Sequence, residues 1–147
     1  MGQQRSVTLY LEGAHDRAIL RPVADELGRR GYAVRETVDF DEPSALGLYA
    51  CHPNRYFDFS TGEWRRPPST RAVLALHDLG QDGGADAGYF VVDGWHTFDL
   101  GLLPGPRWNE IWARAEEQGL PGPTEGMHTV GWAKADRLWA QPEAHAA

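Results

Sequence analysis

Val7-Thr8-Leu9-Tyr10-Leu11-Glu12-Gly13-Ala14-His15-Asp16, continued through Ile19, Leu20, Val23 and Leu27 to Gly31, decides the fold class of this chain. Residues 7–11 are a short β-rich run and predict a first strand. Residues 12–16 are a turn into a helix, with Asp16 as the expected N-cap. Ile19, Leu20, Val23 and Leu27 recur at helical spacing, so one face of that helix is apolar. Gly31 after Arg29-Arg30 is a helix stop with basic residues in the last turn. Residues 32–38 then supply a second strand, with Val34, Thr37 and Val38 as its β-branched content. Strand, helix, strand in so few residues implies a parallel pair joined by a helical crossover.

The pattern repeats outward from this unit. Pro43-Ser44 opens a turn, and residues 45–51 form a third apolar run. Residues 72–76 are the clearest buried strand, and residues 99–103 are another, stopped by Pro104-Gly105-Pro106. A helix over 107–118 carries Trp108, Ile111, Trp112 and Ala115 on one face, and Gly119 ends it. Residues 127–130 give a last short strand. The expected fold is therefore α/β: a three-layer, Rossmann-like domain with a mainly parallel sheet of roughly five to seven strands. One domain is expected over residues 1–139, with 140–147 as a frayed tail. Residues 52–70 stand apart. Pro53, Gly62, Pro67 and Pro68 alternate there with Tyr56, Phe57, Phe59 and Trp64, which predicts an ordered excursion or a hairpin around Ser60-Thr61-Gly62.

Composition narrows the function classes. Fourteen basic residues against 21 acidic ones leave a net charge of −7, which repels a phosphate backbone and argues against nucleic-acid binding. The single cysteine, Cys51, excludes an intrachain disulfide. No stretch approaches the roughly 18 apolar residues of a membrane span, and the first residues lack a signal-peptide core, so a cytoplasmic protein without an integral membrane segment is expected.

Ligands of open α/β sheets bind outside the carboxyl ends of the strands. Residues 12–16, 77–84 and 104–107 all fall there on this reading. Other chemistries are weaker. His15-Asp16, His77-Asp78 and Asp93-x-x-His96 lack a strong metal spacing, so no metal and no cofactor is expected. Cys51-His52 is read as a buried structural thiol beside an outward histidine, because neighbours in a strand face opposite ways. Residues 80–84 are glycine-rich but lack the Lys and Ser/Thr of a P-loop.

Two sets of residues carry a family resemblance. Gly13-Ala14-His15, a helix containing Pro22, and Leu27-Gly28-Arg29-Arg30-Gly31-Tyr32-Ala33-Val34 resemble the opening of the N-terminal domain in the GT-B glycosyltransferase superfamily. Val73-Leu74-Ala75-Leu76-His77-Asp78-Leu79-Gly80 is similar to the strand-to-His-Gly segment of the CDP-glycerol glycerophosphotransferase family. Residues 99–106, ending in Pro-Gly-Pro, match that family's strand ending in Pro-Gly, and Trp108 with Trp112 opens the next helix as in the family. Val130-Gly131-Trp132-Ala133-Lys134-Ala135-Asp136-Arg137-Leu138 resembles its segment near the crossover to a second domain. One departure stands out: the family's Trp-His-Gly-Thr reads Leu76-His77-Asp78-Leu79 here, so an aspartate replaces a small glycine.

The resemblance implies the acceptor-side half of a two-domain glycosyl- or glycerophosphotransferase. His77 is then the candidate general base, suited to the role by a pKa near neutrality. Asp78 either crowds the acceptor or orients the imidazole. Gly13, His15, Gly80 and Gly105 are the candidate substrate-binding positions, for a small-molecule acceptor. The donor nucleotide in such enzymes is held mainly by the second domain, so a separate donor-binding half or a homo-oligomer is the expected partner, and this chain alone is expected to be weakly active or inactive. The alternative is a non-catalytic binding or interaction domain derived from that fold. Trp108 and Trp112 are read as core. Trp64, Trp95, Trp132 and Trp139 are read as a satellite cluster under the excursion, with a sugar-stacking platform or a domain interface as the alternatives.

Overall fold

The computed structural model describes residues 5–75 and 94–131. His77, Asp78, Gly80 and the stretch from Trp132 onward, including the expected 140–147 tail, lie outside the described residues. Among the described residues, the main sheet has six strands, all parallel: β1 (Ser6–Leu11), β2 (Ala33–Thr37), β3 (Leu46–Ala50), β6 (Arg71–Ala75), β7 (Leu100–Leu103) and β8 (Met127–Thr129). Between β3 and β6, the short strands β4 (Phe57–Asp58) and β5 (Glu63–Trp64) form an antiparallel hairpin. The order is β2-β1-β3-β6-β7-β8, the doubly wound arrangement in which the first strand lies between the second and third.

The sheet is covered on both faces, which is why β1 and β3 are nearly continuous apolar runs. Helix α1 (Ala14–Arg29) lays Ile19 and Leu20 over Val7, Leu9, Leu11, Leu48 and Ala50. Helix α2 (Pro106–Glu117) lays Trp108, Ile111, Trp112 and Ala115 on the opposite face, over Tyr10, Tyr49, Ala72 and Leu74. The period-2 alternation of strands and the 3.6 period of helices thus divide one chain into two apolar layers. The three-layer α/β reading holds. The strand and helix limits differ from expectation by one or two residues.

The α2 face contains a tyrosine pair at its centre. Tyr10 and Tyr49 are register partners on β1 and β3, and their rings stack 4.2 Å apart. The Tyr49 hydroxyl lies 2.6 Å from Ser69 Oγ, and Tyr10 donates to the Glu42 carbonyl at 2.5 Å. Burial pushes the Tyr49 hydroxyl well above the usual phenol range. Only glycine fits at Gly47, because a Cβ there would collide with Ser69 Oγ and with both tyrosine rings.

Three sequence readings are refined. The N-cap of α1 is Gly13, not Asp16. Asp16 sits in the first turn and reaches back, its Oδ2 accepting from the amides of Glu12 (2.7 Å) and Gly13 (3.0 Å). It satisfies amides at the helix start from inside the helix, the reciprocal half of a capping box. The excursion is both ordered and a hairpin. Asp58 Oδ1 accepts from the Ser60 amide, the Ser60 hydroxyl and the Thr61 amide, and Gly62 takes the left-handed conformation at φ +73° that closes the turn. The tryptophans divide. Trp64 packs against Phe57 and His96, as a satellite cluster should. Trp95 is fully buried in the main core, 6.1 Å from Trp112, so it is no sugar platform.

Asp99 ties the amino ends of β6 and β7 to the end of the excursion. Its carboxylate accepts from the Ala72 amide at 2.7 Å and from Arg66 Nη2 at 2.7 Å. Burial raises this carboxyl, but the Ala72 amide and the Arg66 guanidinium outweigh it and hold it below the usual carboxylate range. A depressed folded-state pKa contributes stability that is complete above the unfolded value, about 3.9, and is lost as pH falls through the folded value. Asp99→Asn is therefore expected to lower stability at pH 7 by about 1–2 kcal/mol and to flatten the acid limb below pH ~4. Denaturant melts between pH 7 and pH 2 read both effects. Parallel curves for the two proteins would contradict the assignment.

Candidate functional site

Because all six strands are parallel, the segments after Leu11, Thr37, Ala50, Ala75, Leu103 and Thr129 leave from one rim. The strand order reverses at β1: the chain steps out to β2 on one side, then returns to β3 on the other. The segment after β1 enters α1 on one face. The segment after β3 enters a single 3-10 turn, Pro53–Tyr56, whose Tyr56 packs into the opposite face. Such a reversal, between diverging connections, is the place where open α/β sheets bind ligands.

Charged side chains meet between these two strand ends. Arg55, from the 3-10 turn, reaches Glu12, directly after β1, with Nη1 2.9 Å from Oε1. The Arg55 guanidinium lies over the Phe40 ring, Cζ 3.9 Å from its centroid. Phe40 comes from the β2–β3 connection, and its carbonyl accepts from the Tyr56 hydroxyl at 2.9 Å. Side chains from two connections therefore hold the guanidinium that a third carries. Asp16 pins the Glu12-Gly13 backbone from beneath and is itself buried. Beyond Gly13, a Cβ would meet open space. A second cleft of about 320 Å³ flanks β1 on its β2 side, lined by Leu11, Arg17, Glu36, Thr37 and Val38, with Arg17 paired to Glu36 at 2.7 Å.

Of the sequence-predicted residues, Gly13, His15 and Gly105 are described, and they are distributed along this rim. Gly13 and His15 lie together at the start of α1, and His15 is exposed. Gly105 caps α2 after β7, also facing open space. Three strand spacings separate the ends of β1 and β7, about 14 Å, so Gly13 and Gly105 do not meet one small acceptor together. The described part of β6, between β3 and β7, ends at Ala75. Cys51 is buried at the end of β3, and burial pushes its thiol far above the ordinary range, with Glu12 adding to the effect and Arg55 opposing it. It is a structural thiol. His96 lies in the 3-10 turn Trp95–Thr97 before β7, its ring 5.2 Å from that of Trp64, and that turn packs against the one that carries Arg55. Among the described residues, no three His, Cys, Asp or Glu side chains group to hold a metal ion, and no helix is long and apolar enough to cross a membrane.

Arg55, Phe40 and the inward role of Asp16 were not singled out from sequence. Arg55 has one sequence signal, a basic residue four positions past the apolar run that ends in Cys51. That signal gains meaning only once β3 is known to lie beside β1. Comparison with known protein families, with curated proteins and with solved structures finds no match.

Proposed function

We propose that this domain is the acceptor-side half of a glycosyl- or glycerophosphotransferase-like protein, incomplete alone, with a small-molecule acceptor at the carboxyl rim. The observation that supports the reading most is the Glu12–Arg55 pair at the strand-order reversal, where the pinned Glu12-Gly13 turn faces open space. The GT-B-like motifs point to the same turn. In this reading His77 takes the proton from an acceptor hydroxyl, and the oxygen attacks the donor phosphorus or sugar carbon as the nucleotide leaves. Asp78 holds the imidazole, Gly13 and His15 position the acceptor, and Gly80 and Gly105 let the backbone come close further along the rim.

Calorimetry on this chain tests the division of labour. CDP-glycerol and nucleotide sugars are expected to bind weakly, with Kd of about 1 mM or more, because the donor site lies in another half. Micromolar donor binding would contradict it. Phe59 favours a second reading, a docking module: it stands 82% exposed at the hairpin tip, against Phe57. A solution mass above that of the monomer that returns to it on Phe59→Ser would support that reading.

A further inference from the structure

We propose that the Glu12–Arg55 pair is an exchangeable anion clamp: Arg55 takes the phosphoryl group of a phosphorylated small molecule, and Glu12 is the resident counter-anion that the phosphoryl group displaces. The inference rests on the proposed acceptor role of the rim and names the chemistry of its ligand.

Four observations carry it. The pair joins the carboxyl ends of β1 and β3, where the strand order reverses, the ligand position of such sheets. Arg55 is preorganised, its plane held against Phe40, so little side-chain freedom is left to lose on binding. Its side chain is 40% exposed and Glu12 is 35% exposed, so both are reachable. Among the described residues, Arg55 has no second carboxylate partner, and its planar fork of donors exceeds what one Glu12 oxygen uses.

The ligand's charge follows from the competition. A carboxylate would exchange one monoanion for another at the same guanidinium and gain little. A phosphate monoester carries close to two charges and three acceptor oxygens near neutral pH, so it outcompetes Glu12. With a net charge of −7, the protein repels anions at long range, so a local cation at the ligand position, Arg55, sets which anion binds. At Gly13, beside Glu12, even a Cβ would meet no atom within 4 Å, so the turn is open on that side.

The test is titration of the full chain with glycerol 3-phosphate and inorganic phosphate, with glycerol and acetate as uncharged and monoanionic probes. Glu12→Gln removes the competing anion and should tighten glycerol 3-phosphate binding about 2–5-fold. Arg55→Ala should weaken it by about tenfold or more, and Arg55→Lys should fall between, because the charge stays and the planar fork goes. The opposite signs guard against misfolding, which cannot tighten binding. Glycerol 3-phosphate binding that ignores both positions would overturn the clamp and leave the acceptor reading standing. No binding of glycerol 3-phosphate or glycerol to wild type or to Glu12→Gln would overturn both. Acetate binding as tightly as phosphate would overturn the phosphoryl assignment.

Discussion

Trp95→Ala is expected to destabilise the domain by about 3–5 kcal/mol, near the top of the range for a large-to-small core change. Trp95 is fully buried. Its ring lies 6.1 Å from that of Trp112 on α2, and it belongs to the same cluster as Tyr49, Phe98 and Leu103. It therefore joins three parts of the α2 face: the segment before β7, the sheet and the helix. Removing the indole leaves a cavity that strands and a helix cannot close without moving together. For a chain of this length each kcal/mol corresponds to roughly 2–4 °C in Tm, so a fall of about 10 °C is expected. Urea melts followed by circular dichroism measure it, with Phe59→Ala as a control within about 0.5 kcal/mol of wild type, since Phe59 is mostly exposed. A loss under 1 kcal/mol for Trp95→Ala would mean that the two tryptophans do not join the layers.

The second large effect concerns chemistry. In a transferase reconstituted from this chain and a donor-binding half, His77→Ala is expected to lower turnover by about 10²–10⁴-fold, the usual worth of general-base catalysis. The base must be unprotonated, so the activity of the parent enzyme should fall at acid pH, and the variant should lose that limb of its pH–rate profile. Circular dichroism should be unchanged. Cys51→Ala serves as the comparison: its thiol is buried and held protonated, so turnover should change little. Full activity of His77→Ala at saturating donor and acceptor would remove His77 from the mechanism. An unaltered pH profile with reduced turnover would make it a structural residue instead.

Much of this architecture could be read locally. The helical spacing of Ile19 and Leu20 and of Trp108, Ile111, Trp112 and Ala115 marked the faces that the structure buries. The Ser60-Thr61-Gly62 turn was legible because Gly62 is needed at positive φ and Asp58 sits where its carboxylate can cap the turn. Trp95 was less legible. It sits in an irregular segment with no period to place it, and only the packing of α2 against the sheet puts it in the core. Asp16 was recognised as belonging to the helix start, but the start was placed three residues late, because a carboxylate suits both the cap, where it accepts from amides of the first turn, and the third helical position, where it accepts from the cap amide.

The sequence by itself determined the alternation of strands and helices, the parallel sheet, the two buried faces and the inert thiol at Cys51. These follow from periodicity and turn chemistry, which act over a few residues. Tertiary structure alone decided the strand order, and with it the strand-order reversal beside β1. Nothing in residues 12 or 55 announces that they will lie 2.9 Å apart, since 43 positions separate them. Their meeting depends on β3 pairing with β1 rather than with β2, a choice made by the packing of the whole sheet. The same holds for Phe40 beneath Arg55: a connection between strands has no period, so only the folded sheet says which side chain it carries across.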